Sequence, residues 1–210
     1  MILVHSPFEA RGYVAKDLIM TYHNLEEIFT DKVRILDTLE KTVLPLSASQ
    51  LAFRPAPGVW SVAEVVEHVS IVETGLIRLV RSLTEKAESV PGTIPAPFEV
   101  TLDDGLGSGK TGKIRTRPEF EPKGNVPLAE SLHTLRGVQT GLLDLRPRLE
   151  AVEVSSVKFP HRALGDMSLG QWLAFIGAHE ARHLGQIRTV ISSAGSRADI
   201  LSGAIAGVIQ

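Results

Sequence analysis

Four stretches of this chain repeat their apolar residues every three or four positions, and prolines and glycines fall between them. A repeat of that period puts apolar side chains on one face of an α-helix, and such a face must be buried against another like it. The first stretch follows Asn24, a helix-capping residue type, and carries Leu25, Ile28, Phe29, Val33, Leu36 and Leu39 before Pro45. The second follows Ser61, with Glu64 three positions on completing a capping-box pattern. It is expected to run from residue 62 to about 86, on a stripe that includes Val62, Val65, Val69, Leu76 and Leu83. The third opens at Pro127 and carries Leu128, Leu132, Leu135, Val138, Leu142 and Leu145, with Pro147 marking its last turn or a kink. Ser168 caps the fourth, expected to end near Ile191 with Gly195 as its stop signal. No βαβ alternation and no internal repeat is present. The expected fold is all-α: a four-helix bundle with a long Gly/Pro-rich excursion between the second and third helices.

The excursion is residues 91–127, where six prolines and six glycines fall. It is read as irregular, with room for a short hairpin. Residues 1–24 are read as an N-terminal extension, irregular or with a short helix over 14–22. Residues 25–192 form the bundle, and 193–210 an apolar tail suited to packing on the bundle or on a second subunit. Residues 151–166 form a connection with extended character over 152–159.

The fourth helical stretch contains two histidines one turn apart, His179 and His183. At about 100° per residue, with Trp172 set to zero, Leu173, Ile176, Leu184, Ile187 and Val190 cluster on one side. His179 falls at about 340° and His183 at about 20°, inside or beside that stripe. A buried polar group without a partner costs roughly 1–3 kcal/mol, so two histidines on a core face need a shared reason. Two imidazoles spaced i, i+4 can bind one ion, and a metal supplies that reason. His68, on the second helical stretch, falls at the edge of its stripe, where it suits the rim of a bundle cavity.

Other motifs fare less well. His179-Glu180-Ala181-Arg182-His183 satisfies the zinc-protease string, with Glu180 as general base. No histidine lies downstream and the only acid there is Asp199, so the protease context is missing. Gly105-Leu106-Gly107-Ser108-Gly109-Lys110-Thr111 resembles a phosphate loop, but Asp104 stands where the pattern needs its first glycine, so nucleotide binding is rejected. Net charge is −2 with a pI near 6.4, against the basic face of a nucleic-acid binder. The chain has no cysteine, which excludes disulfides, thiolate metal sites and a cysteine nucleophile. No apolar run is long enough to span a membrane, and the N-terminus lacks a signal-peptide pattern, so a cytoplasmic location is expected.

Two motifs together resemble a known family. Trp60-Ser61-Val62-Ala63-Glu64-Val65-Val66-Glu67-His68 is similar to the Trp-Ser-x-x-Glu-x-x-x-His signature of the DinB-like (YfiT-like) superfamily of metal-binding four-helix bundles. His179-Glu180-Ala181-Arg182-His183-Leu184-Gly185-Gln186 is similar to its His-x-x-x-His-x-x-Gln signature. The resemblance covers roughly residues 25–192. It implies that His68, His179 and His183 together hold one divalent transition metal: zinc, nickel or iron. It also implies metal-dependent chemistry on a small molecule, either hydrolysis or transfer of a low-molecular-weight thiol such as bacillithiol, and a homodimer. A bundle holding a structural metal without catalysis is the other reading. Glu180 and Gln186 are candidates for the oxygens that receive the histidines' outer N–H groups. His161 and Asp166 are read as a solvated loop, Trp60 as a packing anchor, and His5, His23 and His133 as ordinary histidines.

Overall fold

The computed structural model describes residues 19–90, 99–103 and 116–206, and side chains over 20–90, 99–103 and 116–195. His5, the Gly105 to Thr111 stretch and much of the 91–127 excursion lie outside the described residues. Asn24 accepts a hydrogen bond from the Glu27 amide and starts α1 (Leu25–Val43). A one-turn helix, α2 (Ala48–Ala52), lies in the proline-rich connection behind a Ser47–Gln50 capping box. The Ser61–Glu64 box forms as read and starts α3 (Val62–Glu88). Pro127 precedes α4 (Leu128–Glu150), and Pro147 lies in its last turn.

The final helix, α5 (Leu169–Ala206), corrects an expectation: it does not stop near Ile191. Glycine ends a helix when it takes a left-handed conformation, and Gly195 is not among the positive-φ glycines. A second correction concerns the N-terminal extension. Residues Ile19–Tyr22 are a strand, β1, rather than part of a helix, and pair antiparallel with β2 (Val100–Asp103). The excursion's strand therefore finds its partner some eighty residues upstream and not in a local hairpin. Met20 and Tyr22 alternate with Val100 and Leu102 in burying one face of this ribbon on the end of the bundle. A second ribbon, β3 (Lys158–His161) with β4 (Gly165–Ser168), leads into α5.

The apolar core comes in two halves. One joins the start of α1 (Leu25 to Phe29), the second half of α3, the second half of α4 and the first turns of α5. The other joins the end of α1, the start of α3, the start of α4 and α5 from Leu184 to Val190. Helices α3 and α4 therefore run in one direction, and α1 and α5 in the other. Parallel neighbours cannot be joined by a short turn. The chain leaving α3, whose 27 residues span about 40 Å, must return the length of the bundle before α4 begins. That is the physical reason for the long excursion. Among the described residues, no helix is long and apolar enough to cross a membrane.

Between the two apolar halves lies a polar waist. Lys32 of α1, Glu73 of α3 and Glu180 of α5 are buried there, on the level of the histidines.

Candidate metal centre

Helix periodicity brings His179 and His183 to one face of α5, and helix packing brings His68 of α3 onto them. Their ring centroids are 4.6 Å apart for His179–His183, 4.7 Å for His68–His183 and 5.4 Å for His68–His179. One ring nitrogen from each lies within 4.8 Å of the others. His68 is buried, 4% exposed, rather than on a cavity rim as its angular position had indicated.

Two of the three tautomers are set by outer partners. His68 Nδ1 donates to the Phe120 carbonyl at 2.7 Å, and His183 Nδ1 donates to Gln186 Oε1 at 2.9 Å. Each bond leaves the Nε2 lone pair as the candidate ligand atom, which at His183 stands 2.8 Å from Arg182 Nη2. His179 Nδ1 is buried without a hydrogen-bond partner, the kind of orphaned atom a folded chain rarely keeps without reason. Burial is the main cause that lowers the pKa of all three. The Arg182 charge adds to the depression at each ring, and neighbouring histidines add to it at His179 and His183. Three neutral imidazoles, two of them with their tautomers set, are the donor set a divalent transition metal takes. The residues fit the group.

Glu180 does not serve the histidines. It lies 100° around α5 from His179, and its Oε2 accepts a hydrogen bond from Lys32. Lys32 Nζ also stands 3.0 Å from Glu73 Oε2. Burial is the main cause that raises the carboxyl of Glu73; Lys32 opposes it, Glu180 adds to it, and the net result is about 8. Burial likewise raises Glu180. Burial alone would lower Lys32, but the two carboxylates outweigh it and the net shift is upward. The triad thus favours holding a proton on its carboxyls and ties α1, α3 and α5 together at the waist.

Several contributors escaped the sequence reading. Glu67, 1% exposed, accepts the backbone N–H groups of Lys123 at 2.8 Å and Gly124 at 2.9 Å. Gly124 has φ +73°, a turn that suits glycine. This clamp holds the segment that begins with the 3-10 turn Pro118–Phe120 and so places the Phe120 carbonyl on His68. A signal for Lys32, Glu73 and Glu180 was present: each sits four residues from apolar neighbours on a buried stripe, where a charge needs a partner. The Phe120 carbonyl had none, because a backbone acceptor carries no residue identity.

Trp60 packs its ring 4.9 Å from His68, and Phe175 packs 5.9 Å from His179. His161 is not a solvated loop residue. It ends β3, half-buried, with its ring 5.0 Å from Phe175, and its Nδ1 accepts from the Ala163 and Leu164 amides. Asp166 is exposed in β4. His23 and His133 lie exposed, at the start of α1 and on α4.

The sequence pattern of the DinB superfamily matches residues 33–187. This chain belongs to the DinB superfamily. It is 21% identical over 175 residues to a protein of Oceanobacillus iheyensis named as a candidate metal-dependent hydrolase, with 83% of this chain and 89% of that protein covered. It is 24% identical over 146 residues to YuaE of Bacillus subtilis, covering 69% of this chain and 85% of YuaE. The crystal structure of YfiT from Bacillus subtilis, described as a probable metal-dependent hydrolase with an unusual four-helix bundle topology, superposes with a TM-score of 0.52 at 19% identity. That match covers 81% of this chain and 87% of YfiT. It shows that this DinB-superfamily chain shares the four-helix bundle fold.

Proposed function

We propose that this chain is a divalent-metal-dependent hydrolase of small molecules, with a low-molecular-weight thiol able to take the place of water as nucleophile. The observation that carries the reading is an open ligand set. Three buried histidines converge, and among the described residues no fourth His, Cys, Asp or Glu joins them. A structural ion is closed by four protein ligands, whereas a catalytic one keeps a position open. The relatives named as metal-dependent hydrolases support the same reading.

A zinc, nickel or iron ion held by His68, His179 and His183 supplies Lewis acidity, making a water or thiol acidic enough to ionise near neutral pH. The chain's own residues do the rest. Phe120 and Gln186 hold the outer N–H groups of His68 and His183, so that Nε2 carries the lone pair on both rings. Trp60 and Phe175 wall the cluster with apolar rings, which limits water around it. Because the chain has no cysteine, any thiol arrives as a cosubstrate.

The test is elemental analysis of the purified protein, together with turnover of a panel of small esters and amides, each with and without an added thiol. About one ion per chain and metal-dependent turnover are expected. A His179→Ala, His183→Ala double variant should lose both, and turnover that survives in it unchanged would dispose of the reading. The proposal carries with it a cytoplasmic setting and a homodimer formed through the apolar C-terminal segment. Light scattering reads the assembly directly, and a monomer would set the dimer aside.

A further inference from the structure

Three charged side chains at the waist are a poor way to fill a core. Lys32, Glu73 and Glu180 are 3%, 0% and 0% exposed, and one amine faces two carboxyls. Lys32 Nζ stands 3.0 Å from Glu73 Oε2 and donates to Glu180 Oε2. Glu73 Oε1 and Glu180 Oε1 are buried with no hydrogen-bond partner. Apolar side chains of the same volume would serve stability as well or better, because they leave no polar atom unsatisfied. What a buried polar contact adds is register: an apolar face tolerates sliding and rotation, whereas a directed contact is lost on a small shift.

The place of the triad shows which surfaces it registers. Glu180 directly follows His179 on α5, and Glu73 lies five residues, about 7.5 Å of helix rise, beyond His68 on α3. The chain between α3 and α5 passes through the excursion and all of α4, so nothing covalent fixes their relative slide near the histidines. A helix moves as a body, so a slide of α5 along α3 that broke the Lys32 contacts would carry His179 and His183 along His68 by the same distance. Helix α1 comes close enough to bridge them at Gly177, where an added Cβ would stand 4.0 Å from the Lys32 Cα. We propose that Lys32, Glu73 and Glu180 are positioning residues of the histidine centre: Lys32 draws one carboxyl from α3 and one from α5 onto itself and so fixes where His68 meets His179 and His183. This rests on the metal-dependent reading above and deepens it.

The experiment compares Glu180→Gln with Glu180→Met in the full chain. Both remove the same ionisable group, but Gln keeps an acceptor for Lys32 and Met does not. Either change leaves Lys32 and Glu73 one to one, so both variants should fold, which thermal melts check. The same pair of substitutions at Glu73 repeats the test from the α3 side should Glu180→Met not fold. Each protein is titrated with cobalt(II), whose visible absorption reports both its affinity and the geometry of its ligands. Glu180→Met should bind cobalt about tenfold more weakly than the native protein, with an altered band, and Glu180→Gln within about twofold of it. Weakening as great in Glu180→Gln as in Glu180→Met would make charge alone responsible and overturns the inference, as does native affinity and spectrum in both. Either result leaves the metal reading standing. A native protein that takes up no cobalt overturns that reading and the inference with it.

Discussion

Each imidazole of the cluster is treated differently by its surroundings. Gln186 fixes His183, a backbone carbonyl fixes His68, and His179 keeps a buried Nδ1 with no protein partner. The outer bond to Gln186 is the one a substitution can remove without touching the backbone. Gln186→Leu should free the His183 ring to rotate and change tautomer, and should weaken metal binding by about 10- to 100-fold. Competition with a chromophoric chelator measures this, and unaltered affinity would show that Gln186 serves helix packing alone. In the same assay His68→Ala removes a proposed ligand outright and should cost more than the loss of any outer partner.

At the level of elements, the notable device is the clamp between α3 and the segment ahead of α4. Two backbone amides on one buried carboxylate hold that segment down, and its Phe120 carbonyl then orients His68, a candidate ligand on α3. Hydrogen bonds to a charged acceptor are the stronger kind, each worth about 1.5–3 kcal/mol. Glu67→Ala should therefore raise hydrogen exchange at the Lys123 and Gly124 amides and weaken metal binding together. Faster exchange with unchanged affinity would confine Glu67 to tethering the segment. Gly124→Ala attacks the same clamp through the backbone. At φ +73° an added Cβ is strained and would stand 3.2 Å from Glu64 Oε1, so a loss of about 1 kcal/mol in denaturant unfolding is expected.

At the level of the whole molecule, the bundle buries one lysine and two glutamates between its apolar halves. Such a cluster is a liability unless its charges balance, which makes stability depend on pH. Glu73 has a folded-state pKa of about 8 against an ordinary value of 4.5. A group raised on folding binds its proton more tightly in the folded state. Its contribution is complete below the ordinary value and is lost as pH rises through about 8. Glu180 is shifted in the same direction and reinforces the trend, whereas Lys32, raised from an ordinary value of 10.5, stays protonated in both states over this range. Thermal melts should therefore show Tm falling between pH 6 and pH 9. Glu73→Gln, which keeps the shape without the titration, should flatten that slope and melt above the native protein at the alkaline end. Parallel slopes for the two proteins would show that Glu73 does not control the trend.

What was legible in the sequence was whatever acts within a few residues along the chain. The caps at Asn24 and Ser61, the stripe on which His179 and His183 stand, and their one-turn spacing all follow from the helical repeat. The four-helix architecture follows from having four such stripes to bury. Where local signals misled, a distant partner decided. Tyr22 went into a strand because Val100 was there to pair with it. The end of α5 did not obey Gly195, since a glycine permits a left-handed stop without compelling one. The position of His68 against the α5 pair, the Phe120 carbonyl on His68 across 52 residues, and Lys32 against Glu180 across 148 residues came only with the tertiary structure. Periodicity says that a side chain faces inward. Which groups it meets there depends on the directions in which the helices run, and the parallel pairing of α3 with α4 and of α1 with α5 is set by packing between surfaces far apart in sequence.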